Sequence, residues 1–530
     1  MPTVLNFKDL LDLPDWRPTA VAPNASAAGI SICSDMRGSE DRIPAVFQLV
    51  SNAIFNKYSP KNDGWTALTT PTLAGTFGAG AGSVVAPARG PRGVLAAGST
   101  STTLVVPTAS FPGTLGPNTL ANRGDGRGYL IRVIGNATGA SAGKTEERLI
   151  IANTNPSGGN TTVRLASALS FTPATSDNFE VLSGRVYLLG AGVAAAGQFK
   201  AYDIASNAYS GNLSITNLPA TISTDCSFIV MDELYVPNTS APGEGFLLGT
   251  GAGGIAGRAL TATASGATSL TGQAASGDAA VLVNEYRNFQ IRIVQDTTTP
   301  AATGQRRKIT SHTAGASPVY TVPAWTTTPS ATAQYVIEFS NEILLWSSAS
   351  ANTHTYAQDA IAGGQAADSW STATYAVRPA VMAAGCSSFL SCESPLDADK
   401  NARFSFLFSF RGGAVSTLDL FDIAGAATGS WTGAIPYGGS GPTFTTGTCC
   451  ANDPFSDYAY INQSGTQNFY RFDAKNRVLE PWAFLRFAQG AAVVGGKMAA
   501  LGYVDGNTKV ALVFTLRNTA VEMFQSFAQR

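Results

Sequence analysis

The stretch Asp457–Trp482, DYAYINQSGTQNFYRFDAKNRVLEPW, decides the fold class. Tyr458, Tyr460 and Ile461 make a first β-prone run, QSGT at 463–466 turns the chain, and Phe469, Tyr470 and Phe472 make a second run. Short aromatic and β-branched runs bounded by Ser, Gly and Thr read as strands, and two joined by a tight turn read as a hairpin. An Asp-x-x-Asn turn follows, from Asp473 to Asn476, and then Trp482. A lone hairpin is marginal in water, so this one needs neighbours.

The same ending recurs along the chain. NAIFNKYSPKNDGW ends at Trp65, QFKAYDIASNAY at Tyr209 and LDLFDIAGAATGSW at Trp431, while a weaker copy opens with EILLW and closes at Trp370. LPDWRP makes Trp16 the tail of another unit, and the C-terminal ALVFTLRNTAVEMF is a unit with no Trp of its own. Neighbouring copies lie roughly 50 to 60 residues apart, the period of kelch-type propeller blades. Each ending is followed by a small-residue segment such as ASAAGISICS or AVMAAGCSSFL, which suits an inner strand beside a crowded central channel. The expected class is all-β: a kelch-like β-propeller of about six blades, with six or seven left open by the weak third and fourth units. The two chain ends meet in the ring, which leaves no exposed sheet edge at the join.

The intervals from Trp65 to Tyr209 and from Tyr209 to Trp370 are too long by roughly two repeats each. Both hold a similar insert. GYLIRVI at 128–134 matches NFQIRIV at 288–294, each is followed by a Gly-centred turn and a charged strand (GKTEERLIIANT, GQRRKITSHT), and each closes with a Pro-to-aromatic segment, Pro173 to Phe179 and Pro329 to Tyr335. Two homologous β modules are therefore expected in consecutive blades. The resulting division is blades at 1–93, module 1 at 94–183, blades at 184–257, module 2 at 258–341 and blades at 342–530.

With 530 residues, a formal net charge of −1 and only 13% charged side chains, the chain lacks the clustered cations that displace counterions from nucleic acid. The start, MPTVLNFKDLLDLPDW, lacks the basic and apolar regions of a signal peptide, and no run of about 18 apolar residues follows, so no signal peptide and no membrane span are expected. Six Cys with no C-x-x-C pair read as buried free thiols rather than a disulfide or zinc framework.

No motif for catalysis survives inspection. GASAGKT, ending at Gly143, Lys144 and Thr145, has Thr138 where a phosphate-binding loop needs Gly, and a strand pattern follows it, so it reads as a hairpin turn. Asp397, Asp399 and Asn401 open a calcium-like spacing, but Ala402 and Phe408 hold the places of the Gly and the bidentate Glu. Arg123, Gly124 and Asp125 spell an adhesion tripeptide of the kind Gly-rich turns produce by chance. His312 and His354 lack triad or metal partners in the sequence, and Glu146 and Glu147 point to opposite sides of a strand. Phe404, Phe406, Phe408 and Phe410 alternate along a strand as core residues do. No catalytic, cofactor-binding or metal-binding residue is assigned, no cofactor is expected, and the chain reads as a non-enzyme.

The inserts, with TSLTGQ, FQIRIVQD, TGQRRKITSHT and YTVPAWTTTPSATAQYVI in the second, together with the N-terminal SDMRGSEDRIPAVFQLVSNAIFNKYSPKNDGW, resemble virion structural proteins of tailed bacteriophages that combine kelch-like units with inserted β modules. The resemblance implies assembly into a particle (tail, neck or capsid surface), partners that are copies of the chain and other virion proteins, and synthesis in the host cytoplasm. A receptor- or glycan-binding adhesin of the phage tail is the alternative, and an enzyme on a propeller scaffold is disfavoured by the missing His, Cys and paired-carboxylate signals.

Overall fold

The computed structural model describes residues 15–20, 23, 30–35, 45–60, 62–74, 78, 81–111, 114–121, 129–222, 226–231, 234–236, 246–248, 259–273, 282–338, 340, 342–362, 364–391, 406–438, 444–445, 447–453, 458–463, 466–484, 498–505, 508–517 and 520–527. Their regular structure is antiparallel strand, with two 3-10 turns at Thr108–Ser110 and Pro300–Ala302 and no α-helix among the described residues. The all-β expectation holds.

Six four-stranded meanders succeed one another. The first runs Ser31–Asp35, Ala45–Ser51, Ile54–Ser59, Gly64–Ala67, and the second Gly82–Val94, Asn178–Leu189, Phe199–Asp203, Ala208–Tyr209. The third runs Cys226–Val230, Ile343–Ser347, Ser350–Ala357, Ser369–Ser371, and the fourth Ser387–Ser391, Phe406–Phe410, Thr417–Asp422, Ser430–Pro436. The fifth runs Cys449–Asn452, Tyr458–Asn462, Asn468–Asp473, Val478–Phe484. The sixth takes Met498–Asp505, Thr508–Arg517 and Ala520–Phe527 from the C-terminal end and Asp15–Pro18 from the N-terminal end, with Trp16 opposite Phe524.

These sheets are apolar on both faces. All five residues of Phe406–Phe410 are buried, and such a strand needs a neighbouring layer on each side. Each successive pair of sheets shares a core: Phe47 and Phe55 meet Val186 and Tyr202, Phe408 and Phe410 meet Ile461 and Phe472, and Val46 and Tyr58 of the first sheet meet Leu501 and Phe514 of the sixth. The first strands lie beside one another in the same order, and Met498–Asp505 returns to Ser31–Asp35.

In the second and third sheets the chain leaves between the first and second strands to build the two modules. Module 1 adds Thr103–Pro107, Leu130–Ile134, Thr145–Asn153 and Asn160–Leu165. The strand Asn178–Leu189 pairs through residues 178–182 with Leu130–Ile134 and through residues 185–189 with Phe199–Asp203, so it runs unbroken across residue 183 and makes module 1 continuous with its sheet. Module 2 holds two four-stranded sheets, one containing Gln290–Gln295 and Gln334–Glu338, the other Ser269–Thr271 and Val319–Thr321. The pairing register repeats: Val133 lies opposite Phe179 as Ile293 lies opposite Tyr335.

The recurrent aromatic endings lie on outer strands and clamp the incoming chain. In the first sheet Asp63 accepts hydrogen bonds from Tyr58 Oη (2.8 Å) and Ala20 N (2.7 Å), while Trp65 Nε1 donates to Ala20 O (2.9 Å). The third sheet repeats this with Asp368, Tyr356, Ser214 and Trp370 at 2.9, 3.0 and 3.0 Å. In the fourth, Phe421 replaces the Tyr and Gly429 the Asp, and Trp431 Nε1 still donates to Ala376 O (3.1 Å). The residue two before the clamp has positive φ in all five internal sheets: Asp63, Asn207, Asp368, Gly429 and Arg477. That register corrects the reading of Trp482. The position equivalent to Trp65 is Leu479, paired with Phe472 as Trp65 is with Tyr58, and Trp482 lies three residues further on, where Arg471 stacks on its ring at 3.5 Å. A Trp nearby in sequence hid a backbone-only version of the clamp, in which Leu479 N donates to Gly438 O (3.0 Å) and Gly438 N to Arg477 O (3.0 Å).

Asp368→Ala removes the acceptor of two hydrogen bonds and places a Cβ-bearing residue without Asp's local bonding at positive φ, so it is expected to cost about 2 kcal/mol. Asp368→Asn, which keeps an acceptor and tolerates that φ, is expected to be close to neutral; thermal melts of the two variants check this, and equal losses would contradict the clamp.

Candidate functional site

Where the two modules meet, five charged side chains are withdrawn from water and a sixth, Arg92, is partly exposed beside them. Arg132 donates through Nε to Glu147 Oε1 (2.9 Å), and Arg292 through Nε to Glu338 Oε1 (2.7 Å). Between them Glu180, fully buried, has Arg92 Nε at 2.7 Å, Arg292 Nη2 at 3.5 Å and Arg132 Nη1 at 3.9 Å. Three guanidinium groups and three carboxylates make the set neutral. The Arg292–Glu180 contact joins module 2 to module 1, and beside it Ile134, Ala259, Val294 and Val336 form a shared apolar cluster. Ala137 N donates to Gln334 Oε1 (3.1 Å), adding a backbone tie.

Strand geometry puts these groups there. Arg132 and Arg292 occupy the same place in LIRVI and QIRIV, and in each strand the flanking apolar residues are buried. Charges removed from water lose several kcal/mol of solvation each, and close opposite charges with good geometry offset that loss. Such a set fixes orientation: any slip of one module past the other strands a buried charge. A second equivalence supports the repeat, since Arg148 Nε donates to Ala168 O (3.1 Å) and Arg307 Nε to Ala324 O (2.9 Å).

The sequence motifs take other places. Lys144 lies in the turn between Leu130–Ile134 and Thr145–Asn153, with Gly139 and Gly143 at positive φ and its ammonium over the Phe171 ring at 5.9 Å. Glu146 and Glu147 part company: Glu147 faces Arg132, and Glu146 pairs with Arg148 at 2.7 Å. His312 Nε2 accepts from Tyr286 N (2.7 Å), which leaves Nδ1 to donate to Thr313 O (3.0 Å), and His354 Nδ1 contacts Asn217 O (2.9 Å). Burial holds both imidazoles below their ordinary pKa. Phe406, Phe408 and Phe410 are buried in the core shared by the fourth and fifth sheets. Cys33, Cys226, Cys449 and Cys450 are buried thiols outside any disulfide and Cys386 a half-buried one; burial pushes Cys33 up to about 12. Asp397, Asp399, Asn401, Ala402, Phe404, Cys392 and the Arg123–Asp125 tripeptide lie outside the described residues.

Arg92, Arg132, Glu147, Glu180, Arg292 and Glu338 were not legible as a site. One signal for them exists: an Arg at the same position inside two matched, otherwise apolar strands.

No family model matches the chain, and no curated protein matches it. Among solved structures it is similar to a leech intramolecular trans-sialidase at 7% identity, covering 94% of this chain and 80% of that one with a TM-score of 0.23. A Bacteroides thetaiotaomicron protein of unknown function matches at 8% identity, covering 81% of this chain and 95% of that one, with a TM-score of 0.19. The GH74 enzyme of Niastella koreensis matches at 11% identity, covering 92% of this chain and 66% of that one, with a TM-score of 0.17. Likeness at those scores carries neither a fold nor an activity across. No helix among the described residues is long and apolar enough to cross a membrane.

Arg292→Met leaves Glu338 buried without its partner and is expected to destabilise by about 3–5 kcal/mol. Adding Glu338→Met should restore most of that loss, and a double-mutant cycle by thermal unfolding measures it; strictly additive losses would contradict coupling across the pair.

Proposed function

We propose that this chain is a non-enzymatic structural component of a tailed-phage particle: a six-bladed, kelch-like propeller whose second and third blades carry the two β modules as arms, acting through contacts with copies of itself and with other virion proteins. Six successive meanders whose cores join each to the next, and the sixth to the first, support the ring. Building the sixth blade from both chain ends hides an edge strand that would otherwise be open to pairing.

The observation that carries the assembly role is the cross-locking of the arms. Both leave their sheets at the same point, and the charge set centred on Glu180 ties one to the other. A substrate-handling insert gains from movement, as lids do. A paired insert anchored by buried charges instead presents two surfaces at a fixed spacing, which is what a repeated particle contact requires. The resemblance of the inserts to phage virion proteins supplies the particle.

Image reconstruction of purified phage particles, with the polypeptide located by a small fused tag, tests the reading. The expected result is several ordered copies of a ring-shaped body on the tail, neck or capsid surface. A chain found only as free protein outside the particle would overturn it, and binding of the isolated chain to defined host glycans from a tail-tip position would replace it with the adhesin.

A further inference from the structure

His312 pairs with Tyr320 in module 2, is 3% exposed, and has both ring nitrogens committed. Nδ1 lies 3.0 Å from Thr313 O, which can only accept, so Nδ1 carries the proton. Nε2 lies 2.7 Å from Tyr286 N, which can only donate, so Nε2 is the bare nitrogen. The two partners fix one neutral tautomer. The segment 282–289 leans on the same residue twice more, because Asn284 Oδ1 accepts from His312 N (2.8 Å) and Asn284 N donates to His312 O (3.1 Å).

That segment also holds module 2 to the fourth sheet. Asn288 Nδ2 donates to Ile423 O (2.6 Å) and Ala426 O (3.0 Å), and Arg287 Nη1 to Gly425 O (3.1 Å), all in the turn that follows Thr417–Asp422. Tyr286 and Phe289 pack in the core that Ile423 joins. We infer that His312 is an acid-sensitive latch between module 2 and the fourth sheet. A proton on Nε2 turns the acceptor into a donor and sets it against the Tyr286 N–H, so the segment 282–289 has to move away and takes Arg287 and Asn288 off the turn.

The groups around the ring favour the neutral form. The segment brings Glu285, Tyr286 and Arg287, the strand Val319–Thr321 brings Tyr320 with its ring at 5.3 Å, and Tyr335 of Gln334–Glu338 lies behind Tyr320. Glu285 Oε2 accepts from Leu282 N (3.0 Å), and Asp422 of the fourth sheet's turn accepts from Ala424 N (2.9 Å). Burial, together with the charge of Arg287, holds the imidazole below its ordinary value. A group depressed in this way contributes stability that is whole above the ordinary histidine pKa of about 6.5 and is lost as the pH falls from there through the lowered folded value, so acid opens the latch.

The latch does not depend on the particle role, and hydrogen exchange of the full-length chain tests it. With rates corrected for the intrinsic effect of pH on exchange, protection in 282–289 and 423–426 is expected to fall about tenfold between about pH 7.5 and about pH 5, while 458–462 keeps its protection. His312→Gln keeps an acceptor that does not titrate, so it should abolish the fall, whereas His354→Gln should leave it in place. Equal protection at the two pH values, or a fall that His312→Gln retains, would overturn the inference. Should His312→Gln not fold, nitrogen-15 labelling of the two histidines in the parent chain decides: His312 is expected to carry its proton on Nδ1 at about pH 7.5, with His354→Gln assigning the signals, and a proton on Nε2 would overturn the latch.

Discussion

A sheet that is apolar on both faces has to be covered twice, and this constraint shapes the body of the molecule. In Phe406–Phe410 every side chain is buried, so Leu407 packs toward Trp346 and Phe421 while Phe408 and Phe410 pack toward Phe472. A stack of such sheets always leaves two bare outer faces; a closed cycle leaves none. The core that joins Val46 and Tyr58 to Leu501 and Phe514 packs one face of the first sheet against one face of the sixth, between segments far apart in the chain. Burial at about 25 cal/mol per Å2 drives this, while the Asp–Trp clamps of the first and third sheets set where the chain at Ala20 and at Ser214 comes in.

The same constraint explains how the modules can be large without becoming loose domains. Module 1 grows from Asn178–Leu189, a strand that already belongs to the second sheet, so its orientation is inherited from the body. Module 2 lies against module 1 through Ile134, Ala259, Val294 and Val336, a small apolar cluster. Four such side chains resist separation but specify little. The charge set specifies more, because Glu180 is reached by Arg132 from its own module, by Arg92 from the first strand of the second sheet and by Arg292 from the other module. Breaking one buried pair strands its partner, whereas sliding apolar surfaces past one another costs far less.

Much of this was legible in the sequence, for a physical reason in each case. Trp65, Trp370 and Trp431 mark outer strands because an indole can fill the rim and also donate to the incoming backbone, a pairing of roles that few residues share. Module equivalence was legible because paired strands keep register, so LIRVI and QIRIV had to match residue for residue. Trp482 misled because the fifth sheet makes its clamp with backbone groups around Gly438 and Leu479, and backbone bonds leave no residue signature. The Glu180 junction was illegible because its members come from separate strands of two modules, and a Glu between hydrophobic residues reads as a solvent-facing strand position until the partner module is in place.

The central claim is that the two modules form one rigid unit. The direct measurement is the distance distribution between spin labels, one on each module, at Ser157→Cys and Ala314→Cys, both at exposed turn positions, with Cys386 and Cys392 replaced by Ser. A single narrow distribution that broadens in Arg292→Met is the predicted result. A broad or multiple distribution in the otherwise unaltered chain would contradict it.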